Sequence, residues 1–167
     1  MKPMTEKSLR EAFAGESQAH MKYLIFADLA EKDGKKDIAR LFRAIAYAEQ
    51  VHATNHFRVL GNLKSTGENL QTGWNGENYE IEEMYPAFNA IASLQDEKDA
   101  MRSIYFALSA EKIHRELYAD TKEKLNNGVD VKFEKISICP ICGYTVVGEA
   151  AEKCPVCGAP KGSFQEF

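Results

Sequence analysis

Glu49-Gln50-Val51-His52 and Glu111-Lys112-Ile113-His114 write one Glu-x-x-His unit twice, in two distant parts of the chain. On an α-helix, residues i and i+3 project from one face, so each unit offers a carboxylate and an imidazole to a common point. Apolar residues run into both units: Leu41, Ile45 and Ala48 ahead of the first, Ile104, Ala107 and Leu108 ahead of the second. Both units are therefore expected on buried helix faces. A carboxylate in such a place is costly unless something pairs with it. A pair of metal ions would satisfy both copies at once.

Working outward, a first helix is expected from about Thr5 to Glu31, stopped by Asp33-Gly34. Its apolar stripe is Leu9, Phe13, Ala19, Tyr23, Ala27 and Ala30, with Glu16 in the middle of it. A second helix should run from about Lys36 to Leu60 and end at Gly61. The stretch from Gly61 to Tyr79, with Gly67, Gly73 and Gly76 inside it, reads as a long crossover loop, as ferritin-like folds use once. A third helix beginning near Glu80 carries Glu80, Glu83, Ala87, Ala90, Ile91 and Leu94 on one face, with Pro86 early in it where a missing donor costs least. A fourth runs from about Asp96 to Leu125 and stops at Asn126-Asn127-Gly128. The predicted architecture is an all-α four-helix bundle with faint two-fold pseudosymmetry, each half supplying one Glu helix and one Glu-x-x-His helix. Residues 129–136 alternate like a strand or an extended linker.

The candidate ligands in the bundle are Glu16, Glu49, His52, Glu80, Glu83, Glu111 and His114. Oxygen and imidazole donors without thiolate suit iron or manganese, and these carboxylates nearly neutralise two divalent ions. Glu82, beside them, reads as a solvated surface charge. His20 and His56 lie one turn beyond proposed ligands and read as supporting or surface groups. Tyr23 is either a hydrogen-bond donor to a ligand carboxylate or a plain core tyrosine.

The cysteines form a second constellation. All four lie in the C-terminal tail, as Cys139-Pro140-Ile141-Cys142-Gly143 and Cys154-Pro155-Val156-Cys157-Gly158. Two disulfides are one reading. The opening Met1-Lys2-Pro3-Met4-Thr5-Glu6 carries no apolar signal core, so a cytoplasmic chain with a metal on four thiolates is the expectation. So short a tail has too little core to fold unaided, which a bound metal would remedy. Zinc ribbons and rubredoxin-type iron sites both fit the spacing. Composition narrows the classes further. The chain is 44% hydrophobic and 28% charged, with a net charge of −4 and a pI near 5.6. It has no Lys/Arg cluster to hold nucleic acid. No apolar run approaches the roughly 20 residues of a membrane helix.

Ala12-Phe13-Ala14-Gly15-Glu16-Ser17-Gln18-Ala19, the two Glu-x-x-His units, Glu80-x-x-Glu83-Met84-Tyr85-Pro86 and the paired cysteines together resemble the rubrerythrin family over essentially the whole chain. The resemblance implies a ferritin-like di-iron domain over residues 1–130 and a rubredoxin-like domain over residues 131–167. It implies that Glu16, Glu49, Glu83, Glu111 and His114 hold two irons, and that Glu80 is an extra carboxylate. It also implies that one iron exchanges a carboxylate, Glu80 or Glu83, for His52 on reduction. Cys139, Cys142, Cys154 and Cys157 would hold a third iron, with zinc as the alternative because the spacer after Cys142 is shorter than in free-standing rubredoxins. The activity implied is reduction of hydrogen peroxide in oxidative-stress protection. Electrons would come through the tail from reduced rubredoxin or an NAD(P)H-linked flavoprotein reductase, in a homodimer. The alternative is a ferroxidase or iron store of the ferritin-like class. A zinc-ribbon interaction module on a helical scaffold leaves the bundle carboxylates without a purpose.

Overall fold

The computed structural model describes residues 1–167, which fall into two compact units, Met1–Lys64 and Ser65–Phe167. No helix is long and apolar enough to cross a membrane.

The first unit is a helical hairpin. Helix α1 spans Pro3–Lys32 and α2 spans Lys36–Val59. Gly34 turns the chain between them at φ +71°, and Gly61 takes the same left-handed conformation after α2. Alanine makes the contact between the helices: Ala27, Ala39 and Ala46 are fully buried, and Ala30 and Ala53 nearly so. Larger rings close the seam at intervals, Phe13 on Phe57 at 5.3 Å and Phe26 edge-on to Phe42 at 5.5 Å. Arg43 reaches from α2 to Glu31 at 2.7 Å. Leu41 and Ile45, expected in a buried stripe, are 59% and 42% exposed. The hairpin buries its small residues and leaves a row of large apolar ones on the outside.

The second unit corrects the expected crossover loop. Residues 66–79 are helix α3, Thr66–Tyr79, not irregular chain. Ser65 and Glu68 form a reciprocal capping box at its start. Gly73 is present for proximity, not flexibility: a Cβ there would lie 3.0 Å from the Tyr118 ring. The helical path continues through a wide π turn, Glu80–Met84, into α4, Tyr85–Leu94. Pro86, at the start of α4, has no N–H to donate and crowds the preceding turn, a known reason for such a widening. Asp96 takes φ +54°, and α5 then spans Lys98–Asn126. Arg115 of α5 holds the π turn in place, donating to Asn78 at 3.1 Å and Glu82 at 2.9 Å. Glu82 is thus an ion-pair partner, not merely a solvated charge. The four helical rods are therefore α1, α2, the composite α3–α4 and α5.

An irregular segment, residues 129–135, leads to a small antiparallel sheet of order β2-β1-β3. Its strands are β1 (Ile136–Ile138), β2 (Thr145–Val147) and β3 (Gln165–Glu166). Ile138 pairs with Thr145, which sets that threonine inward and Val147 outward. The buried core of this tail is mostly sulfur: Cys139, Cys142 and Cys154 with Ala159, ringed by Tyr144, Val156, Phe164 and Phe106 of α5.

Candidate metal centres

In the first unit, α1 contributes Glu16 while α2 contributes Glu49 and, one turn on, His52. Nδ1 of His52 lies 3.0 Å from Oε2 of Glu49 and 3.9 Å from Oε1 of Glu16. The ligand atoms of the three lie within 4.8 Å of one another, a cluster a single ion can share. His20 turns away from this cluster, its Nδ1 2.8 Å from the carbonyl of Ala46. Tyr23 packs among Phe26 and Phe42, the plain core role.

The second unit holds a matching triad of Glu77, Glu111 and His114. Nδ1 of His114 lies 2.6 Å from Oε2 of Glu111, and its Nε2 lies 2.8 Å from Oγ1 of Thr145. Electrostatics here are those of anions collected for a cation. Burial, followed by the hydrogen bond and charge of Glu111, pushes the Glu77 carboxyl up to about 7. Burial and then Glu111 also raise Glu80. The hydrogen bond with His114 holds Glu111 below its ordinary range, and the same bond raises His114.

Of the residues expected from sequence, Glu16, Glu49 and His52 come together in one unit, and Glu111 and His114 in the other. Glu80 lies close enough to feel Glu111, while Glu83 is exposed on the π turn. Glu77 was missed because it fell in a stretch read as loop. The signal was present in the three-residue spacing Glu77, Glu80, Glu83, which places all three on one side of a helix.

The four cysteines are free thiols whose sulfurs all lie within 4.8 Å of one another, so the disulfide reading fails. Cys139 and Cys157 approach to 3.5 Å, as do Cys142 and Cys154. A tetrahedron with metal–sulfur bonds of about 2.3 Å has edges of roughly 3.8 Å, so the cage is close to metal-ready. Gly143 and Gly158, at φ +77° and +78°, let each loop fold back and donate N–H to the carbonyl of Cys139 or Cys154 at 2.9 Å. The backbone N–H of Tyr144 hydrogen-bonds Cys142, as those of Cys157 and Val156 do Cys154. Burial opposes ionisation of Cys154, but these N–H groups outweigh it and bring the thiol down to about 7.

Paired helical Glu/His triads and a four-thiolate cage in one chain define a metalloprotein of the ferritin-like class with a rubredoxin-like appendage. The sequence matches the family described as Rubrerythrin over residues 7–122, and the one described as Rubrerythrin, rubredoxin-like domain over residues 138–165. Rubrerythrin-2 of Clostridium acetobutylicum is 44% identical, spanning 98% of this chain and 97% of its own length. Nigerythrin of Nitratidesulfovibrio vulgaris is 37% identical over 98% of this chain and 86% of its own. Among solved structures, nigerythrin in mixed-valence and in fully reduced, all-ferrous states matches with TM-score 0.58 and 36% identity, covering 98% of this chain and 86% of that one. The chain belongs to the rubrerythrin family. Its fold is the all-α ferritin-like bundle with a rubredoxin-like domain, and its cofactors are a non-haem di-iron centre and an iron on four cysteines. The oxygen and nitrogen donors of the two triads fit iron, and the four thiolates fit an electron-transfer iron.

Proposed function

We propose that this protein is a di-iron peroxidase, reducing hydrogen peroxide to water with two electrons and two protons in oxidative-stress protection. In this reading Glu16, Glu49, His52, Glu80, Glu83, Glu111 and His114 hold the two irons, joined by Glu77. Cys139, Cys142, Cys154 and Cys157 hold the third. Bound iron supplies Lewis acidity and the electrons. The chain's own residues hold it: each triad presents two carboxylates and an imidazole to one point. Glu80 and Glu83, on a widened helical turn, are the carboxylates free to rearrange, and His52 is the histidine that replaces one of them.

One observation carries the reading. The four-cysteine cage is seated on α5, the helix that bears Glu111 and His114, with Phe106 packed against the cysteines. An iron store has no use for a one-electron site beside its ligands, whereas a peroxidase must be refilled after each turnover. The electron source is reduced rubredoxin or an NAD(P)H-linked flavoprotein reductase. The domains that divide the work are residues 1–130 and 131–167. A cytoplasmic homodimer completes the picture, since a second copy would cover the apolar row that includes Ile25, Leu29, Leu41 and Ile45, all exposed in the single chain.

The test is to replace the tail iron with zinc, keep the bundle iron, and compare one chemically prereduced turnover with steady-state peroxide reduction. A retained single turnover and a collapsed steady state are expected, with Cys154→Ser behaving likewise. Equal steady-state rates for the zinc and iron forms would refute electron entry through the tail.

A further inference from the structure

Thr145 is the first residue of β2, 4% exposed, and its hydroxyl joins the two kinds of metal site. Oγ1 donates its only proton to the carbonyl of Gly143 at 2.9 Å. Its remaining contact, Nε2 of His114 at 2.8 Å, must then be one in which the ring nitrogen donates. That fixes Nε2 as a proton-bearing nitrogen, and leaves Nδ1, which donates to the carboxylate of Glu111, as the nitrogen that a metal would take by displacing its proton.

The other end of the connection is the cysteine cage. Gly143 follows Cys142 directly, and the N–H of Tyr144, the residue before Thr145, hydrogen-bonds the Cys142 sulfur. A path of one hydrogen bond, a short run of backbone and a second hydrogen bond therefore leads from a cysteine ligand to a bundle histidine. It lies at the edge of a cleft of about 310 Å³ whose walls are largely apolar, among them Leu117, Phe133, Ile136 and Ile138, and the threonine itself is buried. Packing alone does not call for threonine here, because valine has the same branched shape without the hydroxyl.

We propose that Thr145 is a positioning residue: it locks His114 with Nδ1 toward the metal, and through that hydrogen bond it couples the four-cysteine iron to the metal that His114 holds. This rests on the reading that Glu111 and His114 hold metal and that the tail delivers electrons. The electron concerned leaves the ferrous four-cysteine iron and enters a ferric bundle iron. A one-electron carrier, reduced rubredoxin or a flavoprotein, restores the first.

Two measurements on the full chain test it. In protein filled with zinc at all sites, the His114 ring N–H should give a slowly exchanging nitrogen-bound proton signal. Thr145→Val should lose that signal and Thr145→Ser should keep it. In the iron protein, Thr145→Val should slow re-reduction of the bundle by the prereduced tail roughly tenfold, the usual effect of losing a partner that orients a metal ligand. Thr145→Ser should restore the rate, and the visible spectrum of the tail iron should be the same in all three proteins. Either a ring N–H signal that survives in Thr145→Val or an unchanged re-reduction rate overturns the proposal. Failure of the peroxidase reading is seen separately, because the zinc measurement involves neither peroxide nor electrons.

Discussion

The two triads share a ligand formula and differ in how their histidines are held. Glu49 and Glu111 are equally sheltered, each with a side chain 17% exposed. Their histidines are not: His52 is 54% exposed and His114 only 29%. Polar contacts of His52 are confined to Nδ1, whereas both ring nitrogens of His114 are engaged, one by Glu111 and one by Thr145. A carboxylate one turn away brings a histidine to a metal, but only a second hydrogen bond on the far nitrogen keeps it from turning. The C-terminal triad thus holds its histidine fixed, and on the proposed function the N-terminal triad supplies the histidine, His52, that can come and go.

The largest expected effect is the one that should ignore this difference. Glu49→Ala and Glu111→Ala each delete the sheltered carboxylate central to a triad, and each should abolish most iron binding in the bundle while the tail keeps its metal. Metal analysis after chelation of loosely held iron reads this directly. Full bundle occupancy in either variant would remove that residue from the ligand set.

The histidines should then separate the halves. His114→Ala is expected to lower iron occupancy about tenfold or more, the scale on which metal sites respond to loss of oriented partners. His52→Ala should keep most of its iron in the oxidised protein and lose turnover instead. Equal iron loss in the two variants would mean that the exposed histidine is held as firmly as the buried one, and the assignment of a fixed and a movable histidine would fall.

How much of this was legible beforehand follows the same division. The Glu-x-x-His units are local helical patterns whose i, i+3 spacing is enough to place their side chains, and the cysteine pairs are local turn patterns marked by the C-x-x-C-Gly spelling. Helix stops at Gly34, Gly61 and Gly128 were also readable, and each is in the left-handed region. Residues 66–79 were not. Gly67, Gly73 and Gly76 look like a loop one residue at a time, and only the Tyr118 ring, distant in sequence, shows why Gly73 belongs in a helix. Losing that helix also hid Glu77. Thr145 was invisible for a related reason: its importance comes from the strand register that aims it at His114, and no spacing within the tail encodes that aim.

The smallest effect concerns Glu77, the member of the C-terminal triad that sequence did not reveal. In protein stripped of bundle iron but keeping its tail metal, folded Glu77 holds its proton up to about 7, while the unfolded chain releases it near 4.5. Between those values the folded state binds the extra proton, so stability contributed by neutral Glu77 is lost as pH rises through that window. Glu77→Gln keeps a donor for Glu111 and removes the charge. The variant should therefore melt close to the parent at pH 5 and above it at pH 8. Solvent at a half-buried carboxylate screens much of the effect, leaving a difference of roughly 2–4 °C, the response of a chain this size to about 1 kcal/mol. Thermal melts at the two pH values decide it. A difference of the same size at both would mean that Glu77 is ionised throughout, and that the C-terminal triad gathers its negative charge before any metal arrives.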